Sequence, residues 1–517
     1  MADDTIRSLV DGSRWDGETR ETTTITNPAD HDETVSRAEL AGPDALAAAA
    51  SAARTAQREW AAVPAPVRGV AIGKLGRIIE ANKEPLSQII TREIGKPIVE
   101  SRGEVQEAID TCIFFASEGR RLYGQTVPSE MPDKDLFTYR NPVGTMCVIT
   151  AGNFPVAVPS WYIVPALVAG NAVVWKPAEY TPAVADAFTR LIHAAGIPGG
   201  ALQMVLTGGR DTFQGLETAF EDGNLDKVGF TGSVDVGRAI GELCGRHLVT
   251  PTLELGGKNP LVVMPDANLD LAVEGSLFSG FGTAGQRCTS LGVAIVHEAV
   301  HGEFLDRYDK AVREAAVGSP TEDVVYGPMI NQRFADNYEG WLEHIESHHR
   351  TLGSTAVGRI DDEHPREGFV GDPSTGLYYH PVIVDGVTSD DVLYRQETFG
   401  PIVPVTTFSD LDEAIELANG HGYGLSSAIY TTDPHSVFRF REGVSAGMLS
   451  VNNSTSGAEA HLPFGGNGRS GNGARQSGIW MLEQVTRWQS MNWDHSGRLQ
   501  KAQMDVGEVE ADLDFRL

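Results

Sequence analysis

The fold is decided by residues 144–177, which read GTMCVITAGNFPVAVPSWYIVPALVAGNAVVWKP. A short β-branched run opens this stretch, an apolar segment of helical length follows, and a second β-branched run closes it. A strand, a helix and a second strand joined by short turns form a unit whose two strands run parallel. The stretch therefore predicts an α/β protein with a parallel sheet that is covered on both faces.

Strand-like and helix-like segments alternate along most of the remaining chain. The first series continues to residue 254, and a second runs from PLVVM (260–264) to GMLSVNN (447–453), with no low-complexity linker between them. We therefore predict two doubly wound parallel-sheet domains in close contact. The predicted bounds are 1–124 with 143–254 for the first domain and 255–479 for the second.

Three segments lie outside this alternation. Residues 125–142 and 480–495 contain short β-branched and aromatic runs, and they predict a small arm that pairs outside both sheets. The arm pairs either with another subunit, giving a homo-oligomer, or as a surface hairpin within one monomer. The last residues, 496–517, are acidic and predict a mobile tail.

Composition limits the partners and the compartment. The chain has 517 residues, with 70 acidic and 41 basic side chains and a formal net charge of −29, so neither nucleic acid nor an anionic membrane is a predicted partner. The charge indicates either adaptation to a salt-rich cytoplasm or simply an acidic protein. The four cysteines have no CxxC spacing, which predicts reduced thiols, a cytoplasmic location and no metal site. The apolar stretch 161–175 is interrupted by Pro165 and Gly170 and predicts no membrane span.

VGFTGSVDVGRAIG, residues 228–241, is the better of two candidate phosphate-binding turns. A strand is predicted to end at Phe230, Gly232 allows a tight turn, and Ser233 can cap the next helix. Amides at the start of such a helix bind a diphosphate; a plain capped turn is the alternative. The other candidate, GNGRSG (466–471), follows no strand and is set aside.

Lys176 and Glu179 follow the second strand of the opening stretch. Open parallel sheets bind ligands at the carboxyl ends of their strands. Lysine would donate to ribose hydroxyls there and glutamate would accept from them. Because Glu179 would repel a 2′-phosphate, the pair predicts NAD in preference to NADP; the alternative is an ordinary exposed lysine and carboxylate.

A cysteine lies in the glycine-rich stretch GTAGQRCTS, residues 282–290. Gly282 and Gly285 predict a tight turn beside it. The neighbouring Arg287 cation and the backbone amides predict a lowered pKa for the Cys288 thiol, which would make it a nucleophile. The alternative for a single cysteine is an inert buried thiol.

Two further polar residues follow predicted strands. Glu254 lies between two leucines at the end of the first series, so burial is predicted to raise the pKa of its carboxyl toward that of a general base. Asn153 follows the first strand of the opening stretch, where its amide could donate to an oxyanion. For each, a helix cap is the alternative.

Seven motifs together resemble the aldehyde dehydrogenase superfamily. They are, in chain order, GNFP, VVWKP, FTGS, LELGGKNP, GTAGQRCT, QETFGPIVPV and PFGGNGRSGNG, and the resemblance extends from about Asn27 to WQSMNW (488–493). It implies an aldehyde dehydrogenase-like fold with an oligomerisation arm, in a homodimer or homotetramer. It also implies that Cys288 is the nucleophile, Glu254 the general base and Asn153 the oxyanion donor.

The resemblance further implies which residues hold NAD. Lys176 and Glu179 would bind the adenosine ribose, Ser233 the pyrophosphate, and Glu397 with Phe399 the nicotinamide riboside. The remaining implied cofactor residues line the same strand ends; they are Ile149, Thr150, Gly209, Phe230, Thr231, Gly232, Leu255 and Gly256. Many members have tryptophan where this chain has Gly152, which predicts a wider passage beside the nicotinamide.

The implied substrate is a small-molecule aldehyde. GEVQEAID (103–110), the GQRC segment and TSGAEA (455–460) are similar to the aminoadipic and 2-oxoglutarate semialdehyde branches. In that case Arg287, with the amides of Gly457 and Ala458, would hold a distal carboxylate; the alternative is that Arg287 pairs with a neighbouring acid. The alternatives for function are a general aliphatic aldehyde dehydrogenase, or an esterase or non-catalytic binding protein of the same fold.

Overall fold

The computed structural model describes residues 5–499 and 509–517. Its strands are β1 (Leu9–Val10), β2 (Ser13–Arg14), β3 (Thr19–Asn27), β4 (Asp30–Ala41), β5 (Thr126–Val127), β6 (Lys134–Pro142), β7 (Thr145–Ile149), β8 (Ala172–Lys176), β9 (Leu202–Met204), β10 (Lys227–Thr231), β11 (Thr252–Glu254), β12 (Asn259–Val263), β13 (Leu291–His297), β14 (Val317–Gly318), β15 (Arg350–Leu352), β16 (Phe369–Val370), β17 (Val382–Asp385), β18 (Ile402–Phe408), β19 (Tyr423–Gly424), β20 (Ser426–Tyr430), β21 (Met448–Val451), β22 (Asn467–Gly468) and β23 (Thr486–Asp494).

Helices connect most of these strands. They are α1 (Pro43–Ala62), α2 (Ala65–Ala81), α3 (Lys83–Ile94), α4 (Ile98–Glu118), α5 (Ala157–Ala169), α6 (Pro182–Ala194), α7 (Gly209–Glu221), α8 (Val234–Arg246), α9 (Leu269–Phe281), α10 (Glu298–Glu314), α11 (Gln332–Leu342), α12 (Val392–Arg395), α13 (Leu411–Gly420), α14 (Pro434–Gly443) and α15 (Trp480–Val485). None of the helices in the described ranges is both long and apolar enough to cross a bilayer.

The opening stretch forms the centre of the first sheet, whose strand order is β11-β10-β7-β8-β9-β1-β2. The five strands from β11 to β9 are parallel, and the antiparallel pair β1–β2 extends the edge. Successive residues of a strand face opposite sides, so Val173 packs into one hydrophobic core and Val174 into the other. Both faces are therefore covered, and the predicted α/β fold is confirmed.

The second sheet has the strand order β15-β17-β18-β13-β12-β20-β21 and is parallel except for the edge strand β15. Residues 255–258 separate β11 of the first sheet from β12 of the second. Because this connection is so short, the carboxyl end of β11 lies close to the second sheet. There the backbone of Glu254 forms an isolated antiparallel β-bridge with Gly471.

The arm is a three-stranded antiparallel sheet with the order β23-β6-β5. Its last strand begins at Thr486, six residues later than the segment 480–495 suggests. Residues 480–485 instead form α15, whose Met481, Leu482 and Val485 are buried in the core of the first domain. The predicted mobile tail includes residues 500–508, which lie outside the described residues.

Candidate active site

One cavity of about 580 Å³ lies at the carboxyl ends of the first sheet's strands. Cys288, Glu254 and Asn153 line it, and so does every cofactor residue that the sequence suggested. Those cofactor residues are Ile149, Thr150, Lys176, Glu179, Gly209, Phe230, Thr231, Gly232, Ser233, Leu255, Gly256, Glu397 and Phe399. Residues scattered over 250 positions of sequence therefore share one cavity.

The cysteine loop turns sharply before Cys288. Gly285 has a φ of 70°, and a Cβ there would lie 2.1 Å from the Gly400 carbonyl oxygen. The other residues with left-handed backbone are Thr283 (φ 52°) and Ala284 (φ 54°), whereas Gly282 is not left-handed. The tight turn predicted at Gly282 and Gly285 is present, but Thr283, a β-branched residue, adopts a left-handed backbone that glycine would adopt without strain.

Cys288 is half-buried at the cavity wall, whereas the other three cysteines are buried. Burial raises the pKa of its thiol well above the usual value, and the nearby Glu254 and Glu397 carboxylates raise it further. The predicted lowering of this pKa is thus wrong. Burial beside two carboxylates sets the direction of this shift, and the Arg287 guanidinium that was expected to oppose it is ion-paired with Glu100 at 2.6 Å.

Glu254 ends β11 and is 1% exposed. Burial raises the pKa of its carboxyl well above the usual value, and the charge on Glu397 adds to the effect. Within the described residues its Oε1 atom has no hydrogen-bond partner. The raised pKa predicted for this carboxyl is present, and an unpaired oxygen is available to accept a proton.

Asn153 lies in the connection between β7 and α5 and is buried at the cavity wall. Its Nδ2 donates to the main-chain oxygen of Gln286 at 2.9 Å, which determines which end of the amide is nitrogen. An amide nitrogen carries two hydrogens. The second remains available to an oxyanion beside Cys288.

Lys176 and Glu179 form an ion pair at 3.1 Å at the end of β8. Arg333 of α11, in the second domain, approaches the other Glu179 oxygen at 3.5 Å. Burial raises the pKa of Glu179, but Lys176 and Arg333 outweigh it, so this pKa is lowered and the carboxyl is ionised. An ionised carboxylate that can accept hydrogen bonds is therefore present at the end of β8.

The turn after β10 leads into helix α8 at the cavity. Ser233 is the N-cap residue of α8, but its side chain makes no capping hydrogen bond, contrary to expectation. Its hydroxyl and the first amides of α8 are therefore available at the cavity. Gly237 allows α8 to approach β11 closely, because a Cβ there would lie 2.4 Å from the Leu255 side chain.

Glu397 packs directly on the glycine pair after Glu254. A Cβ at Gly256 would lie 1.9 Å from a Glu397 carboxylate oxygen, and the Gly257 amide donates to the other oxygen at 3.2 Å. Burial raises the pKa of Glu397 to about 7. Phe399 has a left-handed φ of 47° and also lines the cavity.

The sequence did not predict the wall contributed by the second domain. Arg333, Phe334 and Asn337 line the cavity from α11, and no strand or glycine-rich turn precedes them to mark them as a site. Tyr180 was also missed. A Cβ at Gly152 would lie 2.5 Å from its ring, so Tyr180 fills the space that Gly152 leaves, and the wider passage predicted there is absent.

The three predicted carboxylate-binding residues do not converge. Arg287 lines neither the main cavity nor a second one of about 630 Å³, and its guanidinium covers the Phe278 ring and pairs with Glu100. Ala458 lines the second cavity, and Gly457 is exposed beside it. The geometry favours the alternative in which Arg287 pairs with a neighbouring acid and braces its loop.

A group of possible metal ligands lies elsewhere. His348 and His349 place their Nε2 atoms 3.4 and 3.5 Å from the Asp391 carboxylate. However, the Glu346 amide donates to Nδ1 of His349, so the proton of a neutral His349 is on Nε2. That nitrogen then has no lone pair for a metal, and we assign no metal to the group.

Comparison with known proteins extends over nearly the whole chain. Residues 15–491 match the family model described as "Aldehyde dehydrogenase family". The chain is 37% identical to an alpha-ketoglutarate semialdehyde dehydrogenase of Haloferax volcanii, covering 90% of this chain and 94% of that protein. It is 35% identical to the alpha-aminoadipic semialdehyde dehydrogenase of Mus musculus, covering 87% and 82%.

Solved structures agree. An NAD-dependent aldehyde dehydrogenase from Sinorhizobium meliloti has a TM-score of 0.89 at 31% identity, covering 96% of each chain. Betaine aldehyde dehydrogenase from Staphylococcus aureus, in complex with NAD+, has a TM-score of 0.89 at 26% identity, also covering 96% of each. On the matched motifs, the shared fold and this sequence similarity, the chain belongs to the aldehyde dehydrogenase family.

Proposed function

We propose that this chain oxidises an aldehyde to the carboxylate, with NAD as hydride acceptor, through a covalent adduct on Cys288. The observation that carries the proposal is that a thiol, an amide donor and an unpaired buried carboxyl line one cavity with the Lys176–Glu179 ion pair. The open α8 N-terminus and the free Ser233 hydroxyl fit the diphosphate of such a cofactor.

Each group has a distinct task. The Cys288 thiol gives its proton to water and the thiolate attacks the aldehyde carbon. The resulting thiohemiacetal oxyanion accepts from the free Nδ2 hydrogen of Asn153. When bound, NAD supplies the hydride acceptor that converts this adduct to a thioester. Glu254 then removes a proton from water, which attacks the thioester, releases the carboxylate product and frees Cys288.

Mixing the protein with NAD and a panel of aldehydes tests this function. We expect the NADH absorbance band to grow with at least one aldehyde and a carboxylate to form in equal amount. Hydrolysis of an activated ester without NADH formation from any aldehyde would favour the esterase alternative.

For the substrate we propose a semialdehyde with a distal carboxylate. The names of the Haloferax and mouse relatives support this class, as does the position of Ala458 in the second cavity beside the Gly103–Asp110 segment of α4. Backbone amides near Gly457 and Ala458 would then hold the carboxylate. Acidic side chains at Glu107 and Glu459 line the same cavity and favour the alternative of an uncharged aliphatic aldehyde.

Replacing Arg287 tests whether this residue selects for the carboxylate. In Arg287→Met, kcat/KM is expected to fall by the same factor on a semialdehyde acid and on an unsubstituted aldehyde of equal length, because Glu100 already neutralises the guanidinium. If Arg287 held the carboxylate, the acid would lose about tenfold more, the scale of one charge-assisted hydrogen bond. Steady-state kinetics on both substrates measure the ratio, with Glu100→Gln/Arg287→Met as the control that leaves no unpaired charge.

We propose NAD rather than NADP because the ionised Glu179 would face a 2′-phosphate. In Glu179→Ala, the preference for NAD is expected to fall by about tenfold or more, since like charges in contact cost several kcal/mol and Lys176 with Arg333 would remain as cations. The ratio of kcat/KM for the two cofactors measures this. Glu179→Ala/Arg333→Ala is the control and should lose most of the gain for NADP; an unchanged ratio in Glu179→Ala would contradict the assignment.

A homodimer or homotetramer in a salt-rich cytoplasm is our proposal for the assembly and its setting. The arm supports it, because Trp488, Met491 and Trp493 of β23 are 51%, 40% and 58% exposed in the single chain. The net charge of −29 supports the high-salt setting. Light scattering of the purified chain over a range of salt concentrations tests both.

A further inference from the structure

Helix α4 carries two carboxylates one turn apart, and each bonds to one of the two loops that supply the active site. Glu100 accepts from the Thr283 amide at 3.1 Å and pairs with Arg287, so it holds the strained turn before Cys288. Glu104 extends to the other loop, which carries Asn153.

Glu104 caps helix α5. Its Oε1 accepts from the amides of Val156 and Ala157 at 2.8 and 3.2 Å. Val156 is the N-cap residue of α5, and valine has no side-chain acceptor for these amides. Glu104 therefore provides the cap that the sequence of α5 lacks, three residues after Asn153.

Lys96 contacts both Glu104 and the loop that carries Asn153. It pairs with Glu104, and both side chains are 0% exposed. Its Nζ lies 3.5 Å from the centre of the Phe154 ring, and Phe154 follows Asn153 directly. The buried pair thus holds the backbone on both sides of Pro155.

The Asn153 side chain has few polar contacts of its own. In the described ranges it makes one hydrogen bond, to the Gln286 carbonyl. Oxyanion donors must lie within a few tenths of an ångström of the developing charge. The position of this amide therefore depends on the backbone that Glu104 and Lys96 hold, together with the Gln286 carbonyl.

We infer that Glu104, supported by Lys96, is the positioning residue that aims the Asn153 amide at the oxyanion of the Cys288 adduct. This inference rests on the proposed function. Glu104 does not touch the substrate; it acts through the start of α5. No partner outside the chain is required.

Glu104→Asp tests the inference, because it keeps the charge that Lys96 needs but withdraws the carboxylate from the α5 amides. The rate of first-turnover NADH formation is expected to fall about ten- to hundredfold, the cost of a displacement of about 1 Å in a catalytic group, with KM for NAD unchanged. In Lys96→Met/Glu104→Gln, the glutamine is long enough to accept from the α5 amides and no charge is left buried. The first-turnover rate of this variant is expected to remain within about threefold of the parent.

A matched control exists in α3. Glu93 is likewise buried and accepts from the Ala183 and Val184 amides at the start of α6. Glu93→Asp makes the same chemical change at a helix that carries no oxyanion donor. With NAD at saturation, its first-turnover rate is expected to remain within about twofold of the parent. Any displacement of the segment before α6 should appear in KM for NAD, because Lys176 and Glu179 lie in that segment.

A double-mutant cycle separates positioning from general structural damage. In an Asn153→Ala background, Glu104→Asp is expected to cost less than about twofold, because its effect passes through the missing amide. An equal loss in both backgrounds would overturn the inference and leave the proposed function intact. If Asn153→Ala alone had no effect, the oxyanion assignment itself would fail, and the inference with it.

Discussion

Cys288→Ala is expected to abolish NADH formation, with a loss of about four orders of magnitude or more, the scale seen when a sole nucleophile is removed. Alanine cannot form the thiohemiacetal, and no other described thiol reaches the cavity, since Cys112, Cys147 and Cys244 are buried elsewhere. NAD binding should persist, because Lys176, Glu179 and Ser233 are unchanged. Stopped-flow absorbance measures the first step, and calorimetry measures cofactor binding.

The control for this variant is Cys244→Ala, which removes a buried thiol from α8 and should leave the turnover rate within about twofold of the parent. The parent thiol should also be alkylated by iodoacetamide slowly at neutral pH and faster as pH rises, because burial and the carboxylates of Glu254 and Glu397 raise its pKa. Fast alkylation at low pH would contradict that environment, and substantial turnover by Cys288→Ala would remove Cys288 as the nucleophile.

Glu254→Gln is expected to separate the two halves of the reaction. The first turnover of NADH should remain within about tenfold of the parent, whereas steady-state turnover should fall by about 10²- to 10⁴-fold, the contribution of a general base. The carboxamide fills the same space but cannot take a proton from water, so the thioester accumulates. A burst of NADH followed by a slow phase is the measurement.

The pH dependence follows from the raised pKa of Glu254. Below that pKa the carboxyl is neutral and cannot accept a proton; above it the carboxylate acts as the base. Thioester hydrolysis in the parent should therefore rise with pH through a value well above the usual carboxyl range, and Glu254→Gln should lack this limb.

Hydroxylamine provides a rescue of the Glu254→Gln variant. It is an unprotonated nucleophile at neutral pH, so it cleaves a thioester without a general base, and it should restore turnover by capturing the acyl group. Absence of both a burst and a rescue would show that Glu254 acts before the thioester forms, against the proposed assignment.

The predictions from sequence succeeded where function depends on local backbone. Apolar runs of strand length place Asn153, Lys176 and Glu254 at strand ends, and the ends of parallel strands lie at one edge of a sheet. The cavity lined by these residues could therefore be predicted from the sequence alone. The wall of the cavity that includes Arg333 could not be predicted. Arg333 lies on an amphipathic helix, and the hydrophobic pattern of such a helix shows only that one face is buried.

Charge was the property that sequence predicted least well. Because Arg287 precedes Cys288 in the sequence, its cation was expected to lower the pKa of the thiol. The cation is instead paired with Glu100, 187 positions earlier in the chain. Similarly, Gly152 suggested open space that Tyr180 fills from another loop. Which charges form ion pairs, and which side chains fill a space, depends on the residues that meet in the fold. Neither can be inferred from neighbours in the sequence.

By itself, the sequence determined the alternation of strands and helices, the family, and the chemical groups that a two-step oxidation requires. Hydrophobic periodicity and glycine turns act over a few residues, so they can be read along the chain. Only the tertiary structure decided the raised pKa of Cys288, the neutralisation of Arg287 and the support of Asn153 by Glu104 and Lys96. Desolvation and electrostatic interaction act between groups a few ångströms apart, and folding places residues from distant parts of the chain within that distance.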